Sequence, residues 1–269
     1  MGILEFSWVG SQATFVDTIS IERIGHISLG RFGGNSSAGQ YKNEDGCLIW
    51  TNETREWEFA VLLDAHKSAE SAELVITQIV KNKTKIRDIL SMPTKESFRA
   101  LDQAIPQVFQ EETFVADCQK VEGETACLIV VRKDKYVWWF SIGDCLSFLF
   151  HTDLAKLGQY QLNQRQFYEW VGRVNTFEQL VPCYSRGVRE LRKGTNRILL
   201  TTDGLVECPK APFLKPESIY TVMKNCPVQS GVMELLNTIQ EHDVRDSTTI
   251  ICWDAVVISD VARPSDEGN

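Results

Sequence analysis

Short apolar runs punctuate this chain and give its first reading. Cys47-Leu-Ile-Trp50, Glu58-Phe-Ala-Val-Leu-Leu63, Ala126-Cys-Leu-Ile-Val-Val131, Tyr136-Val-Trp-Trp-Phe-Ser-Ile142, Leu146-Ser-Phe-Leu-Phe150, Arg197-Ile-Leu-Leu-Thr201 and Thr249-Ile-Ile-Cys-Trp253 are each four to eight residues long. They are rich in β-branched and aromatic types and predict strands. Between them the period changes. Residues 67–91 carry Ala69, Ala72, Leu74, Val75, Ile79 and Val80 at helical spacing. Residues 96–113 predict a second helix, with Pro106 placed to kink or interrupt it. Residues 217–225 and 229–242 predict two more. Most strands lie at hairpin distance from the next, so the sheets should be largely antiparallel. Two sheets face to face with helices outside would bury these runs on both faces. The expected fold class is α+β, a four-layer α-β-β-α sandwich.

No Pro/Gly/Ser-rich linker and no repeat divides the chain, so residues 1–260 read as one domain. At 269 residues it is long enough to bury a sizeable core. The tail from Val261 to Asn269 is Pro/Ser/Asp/Glu/Gly/Asn-rich and is expected to be disordered. The formal net charge of -8 argues against a nucleic-acid binder, which would show a basic face. It is compatible with a carboxylate-rich site that holds cations. No apolar stretch reaches the roughly 18 residues of a membrane span, and the N-terminus lacks a secretory pattern. Gly2 gives a myristoylation-like start, but position 6 is Phe rather than Ser or Thr. None of the eight cysteines is spaced C-x-x-C, and several sit in apolar runs. They read as buried, reduced thiols of a cytoplasmic protein.

The acidic residues carry the chemistry. Glu44-Asp45 precede the run at 47–50, and Asp64 ends the run at 58–63. Asp144 follows the run at 136–142, Asp203 follows that at 197–201, and Asp246 precedes that at 249–253. Any one of these is more often a turn residue than a ligand. Five at strand ends would converge on one rim of a sandwich, where carboxylates are costly to bury unless a cation joins them. Hard oxygen donors suit magnesium or manganese rather than zinc or copper.

In order and local context these segments resemble the metal-dependent protein phosphatase family, type 2C, as a divergent, bacterial-like member. The resemblance runs from about Gly33 to Trp253. Asn43-Glu44-Asp45-Gly46 is similar to the family's first acidic motif, and Phe59-Ala-Val-Leu-Leu-Asp64-Ala65-His66 to Phe-x-Val-x-Asp-Gly-His. Gly123-Glu124-Thr125-Ala126 is similar to Gly-Ser-Thr-Ala, and Ile142-Gly143-Asp144 to Val-Gly-Asp. Leu200-Thr-Thr-Asp203-Gly204-Leu205 resembles Ser-Asp-Gly-Leu, and Asp246-Ser247-Thr248-Thr249 resembles Asp-Asn-x-Thr.

The resemblance implies hydrolysis of phosphoserine and phosphothreonine on other proteins, by a monomeric enzyme of signal transduction without nucleic-acid or membrane partners. It implies two divalent ions, Mn2+ or Mg2+, bridging a water. Asp45 and Asp64 would contact or bridge the ions, Asp203 and Asp246 would bind the one on one side, and the carbonyl of Ala65 the other. Glu44 would act through a water. Asp144, Asp203 and Glu207 would form a weaker third site. His66 would protonate the leaving serine oxygen, a task suited to imidazole. His26, His151 and His242 read as ordinary structural histidines.

The chain also departs from the pattern. The family's phosphate-gripping Arg is Gln40 here, with Lys42 and Arg31 as nearby cations. The Asp-Gly-His-Gly-Gly turn is Asp64-Ala65-His66-Lys67-Ser68, without its glycines. Glu124, Cys145-Leu146 and Ser247 are further replacements. Residues 152–195 correspond to the family's flap but differ in sequence. A pseudophosphatase scaffold and a phosphatase of small phosphoesters are therefore the alternatives. The retained acids favour an enzyme, because unpaired buried carboxylates destabilise a retired site.

Overall fold

The computed structural model describes residues 2–52 and 54–263. Their strands and helices follow in chain order. First come β1 (Ile3–Val9), β2 (Ser20–Ile24), β3 (Ile27–Phe32), β4 (Gly46–Asn52) and β5 (Trp57–His66). Four helices come next: α1 (Glu70–Lys81), α2 (Lys83–Ser91), α3 (Thr94–Phe109) and α4 (Glu112–Cys118). Then follow β6 (Glu124–Lys133), β7 (Tyr136–Ile142), β8 (Leu146–Phe150), α5 (Thr152–Lys156), β9 (Val171–Gly172), β10 (Ser185–Glu190) and β11 (Gly194–Thr201). The chain closes with α6 (Pro216–Met223), α7 (Val228–Glu241) and β12 (Thr248–Val257).

The strands make two sheets. One is seven-stranded in the order β1-β4-β5-β6-β7-β10, with the short β9 added beside β6; the other is five-stranded in the order β2-β3-β12-β11-β8. All pairings are antiparallel. Three apolar layers hold the sandwich. Ile49, Leu62, Leu128, Val130, Ile198 and Trp253 pack between the sheets. α1 to α4 cover the outer face of the larger sheet over Leu48, Phe59, Ile129 and Phe140. α6 and α7 cover the smaller one over Phe32, Phe148, Leu199 and Cys252. This explains why β4 and β6 read as continuous apolar runs rather than alternating ones: both of their faces are inside.

Some expectations need correction. The pairing is less local than hairpin spacing suggested, because β3 pairs with β12 and β8 with β11. The helical region 67–91 is two helices, broken at Asn82. Pro106 does not interrupt its helix, since α3 runs on to Phe109. The proline lies in the last turn, so little helix remains beyond it. Of the tail, Ala262 is tied down: its N–H donates to Glu190, and its carbonyl accepts from Arg192. Residues 264–269 lie outside the described residues. All eight cysteines are free thiols.

Candidate active site

Both sheets deliver acids to one rim. Asp45 stands in the turn before β4. Asn43 fixes that turn: its Oδ1 accepts the Asp45 N–H at 3.0 Å, and its Nδ2 donates to the Thr14 carbonyl at 3.0 Å. Asp45 is fully buried and reaches across the sandwich. Its Oδ2 accepts from Thr249 Oγ1 at 2.7 Å and from Thr202 Oγ1 at 3.2 Å, two residues of the smaller sheet's rim. Its Oδ1 is buried with no partner among the described residues, as is Oδ1 of Asp144. Asp64, near the end of β5, faces the backbone N–H of Asp203 at 3.5 Å. One oxygen each of Asp64, Asp144 and Asp203 lie within 4.8 Å of one another. Asp246 stands in the turn before β12, its Oδ1 accepting the Ser247 N–H at 2.9 Å.

These carboxyls disturb each other. Burial pushes Asp45 up to about 7, against the hydrogen bonds from Thr249 and with help from the charge of Asp246. Burial, then repulsion from Asp203 and Asp45, lifts Asp64 well above the usual carboxylate range. Burial, then Asp246 and Asp144, lifts Asp203 to about 8. Asp246 is displaced upward too, chiefly by desolvation. A crowd of acids this costly to ionise, with two orphaned buried oxygens, is a donor set suited to hard divalent cations. The residues fit the metals that the family resemblance implies.

No family model matches the sequence, and no curated protein matches it. Solved structures do. A bacterial serine phosphatase superposes with a TM-score of 0.61 over 97% of this chain and 100% of its own, at 15% identity. The serine/threonine phosphatase Stp1 from Staphylococcus aureus gives 0.60 over 88% and 94%, at 15% identity. The catalytic domain of the serine threonine protein phosphatase PstP, in complex with two manganese ions, gives 0.54 over 95% and 100%, at 14% identity. The chain has the type 2C phosphatase fold.

Around the acids of this phosphatase fold, the remaining expected residues occupy distinct places. Ala65 is buried and pairs with Thr125 of β6. His66 ends β5, exposed, and lies near enough for its charge to favour the Asp246 carboxylate. Lys67 makes the turn without glycine, at a φ of 77°. The bend just before β6 accommodates it through Gly123, where a Cβ would fall 1.9 Å from the His66 carbonyl oxygen. Lys42 donates to Glu44 at 2.7 Å and to the Lys67 carbonyl at 2.9 Å, so it is held at the rim. Gln40 is buried, and its side-chain oxygen accepts the Tyr41 N–H. Arg31 is not a rim cation. It is buried among Phe6, Trp8 and Phe15 and paired with Glu22. Glu207 is exposed beside Asp203. Of the other histidines, His26 meets the buried Glu58, and His151 accepts the Asp153 N–H at the start of α5.

Three contributors were not foreseen. Thr202 and Thr249 hold Asp45, and both stand inside the motifs that flagged Asp203 and Asp246. Arg165 had no such signal. It comes from the irregular stretch between α5 and β10, and its Nη2 lies 2.8 Å from Asp203, 3.4 Å from Asp144 and 2.5 Å from Glu207.

Proposed function

We propose that this protein hydrolyses phosphoserine and phosphothreonine on other proteins, using two divalent ions, Mn2+ or Mg2+, held at the acidic rim. The observation that carries the reading is the meeting of Asp45, Asp64, Asp203 and Asp246 from both sheets, with an orphaned oxygen on the innermost. Asp45, Asp64, Asp203, Asp246 and the Ala65 carbonyl would hold the ions, with Glu44 acting through water. Bound there, the ions supply a hydroxide nucleophile near neutral pH and offset charge on the phosphoryl oxygens.

The chain's own groups do the rest. Thr202 and Thr249 hold one oxygen of the Asp45 carboxylate and leave the other without a hydrogen bond. Lys42, tethered by Glu44 and the Lys67 carbonyl, places a positive charge at the rim for the phosphate dianion. The buried Gln40 leaves that task to it, as a point charge rather than a bidentate fork. His66, exposed beside Asp246, donates a proton to the departing serine or threonine oxygen. We further infer a reducing, cytoplasmic setting from the eight free thiols. No helix among the described residues is long and apolar enough to cross a membrane.

The test is turnover of a phosphothreonine peptide. It should require manganese or magnesium and stop with excess EDTA. Full turnover in EDTA would overturn the reading.

A further inference from the structure

We propose that Arg165 is a tethered cation that fills the third acidic niche of the rim, so the protein takes two ions rather than three. This rests on the two-ion reading above and goes beyond it. The niche is formed by Asp144, Asp203 and Glu207, which the family resemblance marks as a weaker third metal site. In this chain a guanidinium nitrogen reaches all three carboxylates, at 2.5 to 3.4 Å. A divalent ion bound to the same oxygens would have to displace it.

The placement is built rather than incidental. Two residues earlier, Asn163 is almost fully buried and clamps the loop at its base. Its Oδ1 accepts from the N–H and Oγ of Ser147 at 2.8 and 2.9 Å. Its Nδ2 donates to the Cys145 carbonyl at 2.8 Å and to Ser141 Oγ at 3.0 Å. One residue later, the Gln166 N–H donates to the Gly143 carbonyl at 2.9 Å. The guanidinium also lies over the Phe167 ring, 4.8 Å from its centroid. The Asn163 side chain on one side and the Gln166 N–H on the other therefore hold the loop where Arg165 meets the niche, and Asp144 itself follows the anchoring Gly143.

Charge supports the exchange. The rim gathers Asp45, Asp64, Asp144, Asp203, Glu207 and Asp246. Two divalent ions leave it acidic, and a covalently attached arginine supplies further positive charge at high effective concentration.

Equilibrium dialysis against saturating manganese, with metal counted by atomic emission, tests this. The wild type should hold two ions per chain. Arg165→Ala and Arg165→Gln should hold three, and adding Asp144→Asn should return the count to two. Arg165→Lys, which keeps a tethered charge, should stay near two. Circular dichroism checks that each variant is folded. Three ions in the wild type, or an unchanged count in both neutral variants, would overturn the inference while leaving the two-ion reading intact. No bound manganese in any variant would overturn both.

Discussion

Asp64 shows how one residue can be unfavourable for the fold and necessary for the site. It sits near the end of a strand, just after the buried apolar run Phe59 to Leu63, and it faces Asp203 across the sandwich. Without a cation its carboxylate loses hydration and meets the like charges of Asp203, Asp45, Asp246 and Asp144, which is why its proton is held so strongly. Asp64→Asn removes that charge and keeps the oxygen that faces the Asp203 N–H. In EDTA the variant should therefore melt several degrees above the wild type. Its manganese affinity and its turnover should fall, turnover by about 100-fold or more. A variant that melts lower in EDTA would show that Asp64 is satisfied by something other than a metal. At this scale the sequence was informative where a residue stood in an ordered motif, as Asp45, Asp64, Asp203 and Asp246 do. It was silent on Arg165, because a cation in a stretch without periodicity carries no sign of the carboxylates it will meet.

At the scale of elements, the strands that read clearly are those covered on both faces. β4, β5 and β6 present unbroken apolar sequence because helices lie on one side and a second sheet on the other. β1 and β2 lie at sheet edges, mix Glu, Ser and Arg with their apolar residues, and do not stand out by composition. The partners of β3 and β8 were hidden for a different reason: their pairings join distant parts of the chain, which no local pattern encodes. The irregular stretch between α5 and β10 was legible as a difference from the family flap, but not its attachment. Asn163 supplies that attachment, bonding to Ser141 on the larger sheet and Ser147 on the smaller. Asn163→Ala would strand these buried polar partners, at a cost of about 2–4 kcal/mol. Limited proteolysis should then cut first within residues 157–184. Cleavage elsewhere, with this stretch still protected, would show that the clamp is redundant.

For the molecule as a whole, the site makes stability depend on pH in a direction unusual for carboxylates. Acids paired in a native state usually bind protons less tightly than in the unfolded chain, so acid weakens the protein. Here burial lifts Asp45 to about 7 and Asp203 to about 8, and raises Asp64 and Asp246 as well. In the unfolded chain aspartate titrates near 3.9. Between roughly pH 4 and 8 the metal-free native state therefore binds more protons than the unfolded state, and stability rises as pH falls. Buried thiols act in the same direction only at higher pH: Cys47, lifted by burial to about 12, differs from an unfolded cysteine above about 8.5. A comparison at pH 6 and pH 8 thus lies below the thiol range and within that of the raised carboxyls. In EDTA the melting temperature should be higher at pH 6 than at pH 8. In saturating manganese the order should reverse, because the ions bind the ionised carboxylates and protons compete with them. Scanning calorimetry at both pH values, with and without manganese, reads all four states. A metal-free protein that is less stable at pH 6 would mean that the rim acids are already compensated within the chain, and that the cluster does not need ions to be tolerated.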